Sequence, residues 1–336
     1  MRLPARPLLL AAALACAAPA AGQPSTPELF PYGSWPTMGL MDRAGNLVIE
    51  PRFEVVGDPS EGLVVVGRGD LQGYADLRGN VVMEPRWTAA GQFRSGYASV
   101  LRDTLSGLID RTGRLVFPLE KRNYTFRFSE GMLPLRMGAR IGYLDAQLDT
   151  VIPARFDDAD EFKEGRAGVA IIGRWGFIDT RGGWVVTPAY DRVSWYRDGM
   201  AAVYLDGKCG YVDHAGRMAV PIRYDECWEF GDGLAPVREG QGDYAWIDRT
   251  GRVVFTVPGA RDPVHFSEGL ASVELEGKFG YIDTRGQIAI PPAWDYWAGP
   301  FEGGLARVSQ RHPELGSRPV GYIDRTGRYV ARWFDD

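Results

Sequence analysis

Cysteine, histidine and long apolar runs are all scarce in this sequence. Its 336 residues include three cysteines and three histidines. Cys16 belongs to the N-terminal stretch, so Cys209 and Cys227 remain, and two thiolates do not make a zinc centre. Cys209 stands where sister segments place Trp175 and Phe279, and Cys227 where they place Val193 and Ala298. Both slots are apolar, so the pair reads as buried thiols, with a disulfide across the short loop as the alternative in an oxidising compartment. His214, His265 and His312 lie in separate segments without partners at ligand or triad spacing, which leaves them as surface histidines. No Gly-x-Ser-x-Gly, Walker loop or His-Glu-x-x-His occurs. One-signed charge is also missing. The 38 basic and 43 acidic residues are interspersed and give a net charge of −5. Without a basic stripe, a nucleic-acid partner is excluded.

The one apolar run is Leu8 to Ala15, after Arg2 and Arg6 and before small residues. It is too short to span a bilayer and has the order of an export signal. Cleavage between Gly22 and Gln23 gives a signal peptide over 1–22, a linker over 23–32 and a folded array over 33–336. The rival is Ala13-Leu14-Ala15-Cys16, with Cys16 as a lipidated terminus. No second stretch is long enough for a transmembrane helix, and the expected location is the periplasm or the cell surface.

What the chain does have is Gly (43), Pro (23) and a repeat. Gly73-Tyr74-Ala75-Asp76, Gly142-Tyr143-Leu144-Asp145, Gly210-Tyr211-Val212-Asp213 and Gly280-Tyr281-Ile282-Asp283 are copies of one tetrad. Its aspartates are Asp42, Asp76, Asp110, Asp145, Asp179, Asp213, Asp248, Asp283 and Asp324, with spacings of 34, 34, 35, 34, 34, 35, 35 and 41. A glycine follows each by three places except after Asp145, where Leu148 stands. Two further markers share the period. One is Phe-x-x-Gly, as in Phe162 to Gly165. The other is Pro, aromatic, Asp, as in Pro188, Tyr190 and Asp191. Alternation in Leu270 to Leu275 and Lys278 to Ile282 predicts strands, and Asp-x-x-Gly closes hairpins in which the aspartate caps turn amides. Each aspartate offers one carboxylate, whereas calcium takes about six to eight oxygens, so these are turn residues and not a metal site.

Arg174-Trp175-Gly176, Lys208-Cys209-Gly210 and Lys278-Phe279-Gly280 resemble the Lys-Trp-Gly motif of the bacterial WG (KWG) repeat family. The likeness covers roughly residues 33 to 336 and is tightest over 255 to 310. It implies tandem β-repeats and interaction in place of chemistry, and it carries no catalytic residues.

The expected fold is all-β: about nine units of about 34 residues, each a β-hairpin module that hides its apolar face against the next. An open, curved, β-solenoid-like array is preferred over a closed β-propeller-like ring, because propellers typically have about four to eight blades and the 41-residue spacing breaks the register. Ring closure would need the segment near Leu29-Phe30 to complete the last unit.

Function is sought where the repeat is broken. Trp195, Trp228 and Trp297 precede the Phe-x-x-Gly marker, and on one edge they would form an aromatic stripe for a sugar or a protein. Local loop packing is the other reading. Asp157-Asp158 and Asp160-Glu161 read as a solvated face, and Arg261 to Val264 and Gln310 to Arg318 as irregular insertions. The expectation is a non-catalytic exported scaffold of the bacterial envelope that binds a protein or a cell-surface glycan, without cofactor. A hydrolytic or metal-dependent enzyme on the same scaffold is the alternative.

Overall fold

The computed structural model describes residues 28–34, 36–121, 126–311 and 318–332. The segment 1–22 read as an export signal, Cys16 and His312 lie outside the described residues. The chain forms nine small antiparallel sheets, or blades, in sequence order, six of four strands and three of three. Blade 2 shows the pattern with Val55–Val56, Leu63–Arg68, Leu71–Asp76 and Val81–Trp87. The first connection, residues 57–62, ends in a two-residue turn, Glu61-Gly62, closed by the Ser60–Leu63 bridge, with φ of 51° and 78° at its two residues. Positive φ at both positions defines the tight turn that matches strand twist, and glycine removes the Cβ penalty at the second.

The last two strands of each blade are joined by the Asp-x-x-Gly hairpin. In all nine hairpins one carboxylate oxygen accepts the amides two and four residues on, as Asp42 does from Ala44 and Asn46 at 2.9 Å. These hydrogen bonds hold most of the aspartates below the usual carboxylate range; at Asp248 the pKa falls to about 2, with the Thr250 hydroxyl the largest cause. Leu148, in the glycine slot of blade 4, takes a φ of 66°.

The Lys-Trp-Gly motif now has a physical reading. Its glycine crosses the outer strand so closely that a Cβ on Gly176 would lie 2.3 Å from the Val186 carbonyl oxygen, and one on Gly280 2.7 Å from that of Ile290. Its cation pairs with the aspartate that ends the outer strand: Arg140 with Asp157, Arg174 with Asp191, and Lys208 with Asp225 at 2.7 Å. The other oxygen of each aspartate accepts an amide from the next blade, from Ile172, Asp206 and Gly240. One residue therefore closes its own blade and ties it to its neighbour.

Blades meet face to face, and the core is the series of clusters between them. One cluster joins Met200, Ala202, Cys209 and Tyr211 of blade 6 to Phe230, Ala235 and Ile247 of blade 7. The motif tyrosines cross these junctions. Tyr74, Tyr143, Tyr211 and Tyr281 donate to the carbonyls of Gly91, Asp160, Trp228 and Gly299. Phe177 lacks that hydroxyl, and in its junction Tyr196 supplies one, donating to Asp213 O at 2.9 Å. The two-residue turns form a second chain of links. Glu61, Glu130, Glu164, Asp198, Asp232 and Glu268 each accept an amide from the corresponding turn of the following blade. Successive turns thus sit one side chain apart, which marks them as the inner rim. The fourth strands, with patterns such as eeBeieB, lie outermost.

The array is closed, not open. Leu29–Ser34 pairs along its full length with Thr37–Asp42 and begins inside the stretch read as a linker. Phe30 packs edge-on against Tyr322 at 5.4 Å, within a cluster of Met41, Leu305, Tyr322 and Ala331. The hairpin glycine of blade 1, Gly45, abuts the Val330 carbonyl as Gly216 of blade 6 abuts that of Val185. Both partners are second residues of outer strands, Tyr329–Arg332 and Trp184–Tyr190. The junction between blades 9 and 1 therefore repeats an internal one. The 41-residue spacing does not shift this register, because its extra residues fall between Leu305–Gln310 and Arg318–Asp324, two strands that still pair. Nine units exceed the usual blade number, but equivalent junctions all round leave no end to expose.

Cys209 and Cys227 are disulfide-bonded, linking the third strand of blade 6 to the first of blade 7. The same pair of slots between blades 2 and 3 is bridged by Gln72, whose Oε1 accepts the Ala90 amide at 2.7 Å. The bond closes a loop of 18 residues, for which chain-entropy arguments give roughly 3 kcal/mol. We expect Cys209→Ser/Cys227→Ser to be less stable to urea by about that free energy, with a somewhat steeper slope because the unlinked denatured chain exposes more surface; equal midpoints would show that the staple contributes nothing.

Candidate functional site

The repeat is most strongly broken between blades 7 and 8. The outer strand of blade 7, Val253–Thr256, has four residues where Val81–Trp87 and Trp184–Tyr190 have seven. Beyond it, Pro258 and Gly259 lead to a loop that takes the place of blade 8's short first strand and touches the sheet through the Arg261–Glu274 bridge. The shortening leaves a cleft of about 640 Å³ lined by Glu226, Trp228, Arg238, Asp243, Tyr244, Asp262 and Glu274, among others. That volume lies within the range of ligand pockets, roughly 300–1,000 Å³.

One wall is a fixed polar network. Tyr244 donates to Glu226, Arg238 pairs with Glu226, and the Arg238 guanidinium lies 5.1 Å from the Tyr244 ring centroid. Burial pulls the Glu226 carboxyl up, but hydrogen bonds from Tyr244, Arg238 and Trp228 outweigh it and keep the group below its ordinary value. Burial and the same carboxylate push the Tyr244 phenol up to about 12. Glu226 is thus held ionised and Tyr244 protonated. The Arg238 Nε is buried without a hydrogen-bond partner. Trp228 accepts the Tyr211 hydroxyl at its carbonyl, while 38% of the residue stays exposed.

Of the three tryptophans read as an aromatic stripe, Trp228 lines this cleft. The others are not brought to it. Trp195 stands one residue before Tyr196, Trp228 two before Phe230, and Trp297 four before Phe301; Trp297 lies on a short first strand, Trp195 and Trp228 just beyond theirs. Trp195 packs near Lys163, its ring centroid 5.8 Å from Nζ, and Trp297 pairs with Ser309 at the start of blade 9. Each is roughly 40–46% exposed. Of Arg261 to Val264, read as an irregularity, Arg261 and Asp262 line the far wall of the cleft. Glu226, Arg238 and Tyr244 escaped the sequence reading because they lie on two strands and just ahead of a third; only the missing Gly in Asp243-Tyr244-Ala245-Trp246 signalled a departure.

The remaining titratable groups lie elsewhere. His214 Nε2 is 2.6 Å from the Glu164 carbonyl, and Arg166 reaches the His214 carbonyl. His265 is largely buried near Glu229, 3.7 Å away, and burial with Arg197 drives its pKa to about 4. Asp157 and Asp158 are exposed strand-end residues, and Glu161 pairs with Arg127 and Lys163. Asp160 is different: burial, then Asp158 and Glu161, raise its carboxyl to about 6. A raised carboxyl binds more protons folded than unfolded, so its stability contribution falls as pH rises from about 4 to above 6. Asp160→Asn is therefore expected to raise the melting temperature by a few degrees at pH 8 and less at pH 4.5, as followed by circular dichroism. An equal change at both pH values would contradict the assignment. Among the described residues no cluster of three or more His, Cys, Asp or Glu could hold a metal ion, and no helix is long and apolar enough to cross a membrane.

A closed ring of radial antiparallel sheets, with a cleft cut between two of them, is a β-propeller, here of nine blades. The chain belongs to the WG containing repeat family, whose profile matches residues 38–71, 73–103, 141–171, 175–209, 210–241 and 279–311. Each matched repeat begins on the strand next to the outermost one and runs into the next blade, so the repeat of the sequence straddles two blades. Among solved structures, a eukaryotic initiation factor is similar at a TM-score of 0.64 and 13% identity, covering 91% of this chain and 97% of that one. The dihydro-heme d1 dehydrogenase NirN in complex with DHE is similar at 0.51 and 17%, covering 84% and 75%. At such identities the likeness concerns the fold alone. No curated protein matches the sequence.

Proposed function

We propose that this propeller is a non-catalytic binding scaffold, exported through residues 1–22 to the envelope, and that the cleft between blades 7 and 8 holds a glycan. One observation carries the reading: Trp228, 38% exposed, lines the cleft beside the Glu226–Arg238–Tyr244 network, amid hydrogen-bonding groups. An aromatic face beside convergent polar groups suits a ligand that is flat and apolar on one side and hydroxylated at its edges. An ionised Glu226 and a protonated Tyr244 form a rigid hydrogen-bonding frame and do not offer a carboxylic acid ready to give up a proton. That favours holding over cleaving.

The test is binding of cell-wall and capsular oligosaccharides to the folded chain, with Trp228→Ala beside it. Loss of an aromatic anchor is expected to weaken binding at least about tenfold. The bound oligosaccharide should be recovered intact. Release of new reducing ends would contradict the non-catalytic reading, and equal binding by Trp228→Ala would remove the cleft from it. Mass analysis of the exported N-terminus distinguishes a start at Gln23 from a lipidated Cys16.

A further inference from the structure

We infer that the cleft between blades 7 and 8 selects a glycan carrying free, positively charged amino sugars, an inference that rests on the glycan reading above. Its carboxylates are Glu226, Asp243, Asp262 and Glu274, and its cations are Arg238 and Arg261. They differ in what they already hold. Glu226 is engaged by Arg238 and Tyr244, and one oxygen of Asp243 accepts the Gly259 amide at 2.9 Å. Asp262 is exposed on the far wall, and Glu274 is half-buried at its back, holding the loop through backbone hydrogen bonds with Arg261. Once Glu226 and Arg238 neutralise one another, three carboxylates face a single guanidinium.

A recess with low-dielectric walls concentrates such an excess, attracting cations and repelling anions. Trp228 adds to the same preference. It lines the cleft with 38% of its surface exposed, and an exposed indole attracts a positive charge. A neutral sugar could use the ring and the hydrogen-bonding groups. An amino sugar gains the ring, those groups and the field together. A polyuronate, with a carboxylate on every residue, would set its charges against Asp243, Asp262 and Glu274.

The experiment is titration calorimetry of the intact folded chain, in mildly acidic low-salt buffer, with four probes. These are a β-1,4-glucosamine hexamer, the same hexamer fully N-acetylated, an oligogalacturonate, and a lysine hexapeptide. The glucosamine hexamer is expected to bind at least about tenfold more tightly than its acetylated form, and to weaken with added salt. The oligogalacturonate should not bind. Asp262→Asn/Glu274→Gln should weaken the glucosamine hexamer about tenfold and leave the acetylated form within about twofold. Because Asp262 is exposed and Glu274 holds the loop through its backbone, this variant should fold, as unchanged circular dichroism would show.

Equal binding of the two hexamers would overturn the charge preference and leave the glycan reading intact. Binding of the lysine peptide alone would overturn the sugar and point to a protein partner. Failure of all four would remove the inference, while binding of some other neutral oligosaccharide would still support the broader reading.

Discussion

A chain shortened to begin at Thr37 should lose protection in blade 9, at the far end of the sequence. Leu29–Ser34 pairs only with Thr37–Asp42, yet Phe30 also rests on Tyr322, and Met41 shares a cluster with Leu305, Tyr322 and Ala331. Removing the strand uncovers apolar side chains on both sides of the closing junction. At roughly 1.5–3 kcal/mol for each large side chain, the expected loss is about 5 kcal/mol, a large part of ordinary domain stability. Amide exchange would then quicken in Arg318–Asp324 and Tyr329–Arg332 as well as in blade 1. In an open array, where each unit touches only its sequence neighbours, blade 9 would exchange as before.

Gly176→Ala should be strongly destabilising for a single added methyl group. The new Cβ would lie 2.3 Å from the Val186 carbonyl oxygen, 2.8 Å from the Pro188 nitrogen and 2.9 Å from the Thr187 carbonyl carbon. All three are backbone atoms of Trp184–Tyr190, so relief requires the third and outer strands of blade 5 to separate. Overpacking of this kind typically costs about 1–3 kcal/mol, and here it also disturbs the pairing of Phe177 with Val186. Gly173→Ala is the control. Its φ is 70°, and a Cβ there meets nothing within 4 Å. It should cost only the left-handed backbone penalty, roughly 1–2 kcal/mol. Urea midpoints that place Gly173→Ala below Gly176→Ala would contradict this account of the motif glycine.

Much of this architecture is legible in the residues, for a physical reason: the repeat records contacts that recur. The tetrad glycine, the turn aspartate and the aspartate after Pro-x-aromatic each perform one task in many blades. The acidic residue before the marker glycine, as in Glu130-Gly131 and Glu164-Gly165, also recurs, but its role is to reach the next blade's turn amide. That is invisible until blades are placed side by side. The short first strands, such as Val55–Val56, cannot show alternation over two residues.

Ring closure was hidden more deeply. A blade touches its neighbour in the same way in an open stack and in a ring, so only the terminal strands differ. The informative one, Leu29–Ser34, sits close behind the apolar N-terminal run and has Pro31 and Gly33 within it. The cleft was half legible. Trp228 and Arg261 to Val264 stood out as departures, whereas grouping Trp228 with Trp195 and Trp297 treated three positions relative to the marker as one.

The closed ring of nine equivalent junctions is tested most directly by a distance. Spin labels at Ala44 and Thr326 sit on the exposed hairpins of blades 1 and 9, two residues past Asp42 and Asp324. Labels at Arg181 and Ala215 occupy the same places on blades 5 and 6, which are neighbours in any arrangement. Pulsed dipolar spectroscopy should return the same distance for both pairs. A separation between Ala44 and Thr326 several times that of the control pair would mean that the ends do not meet.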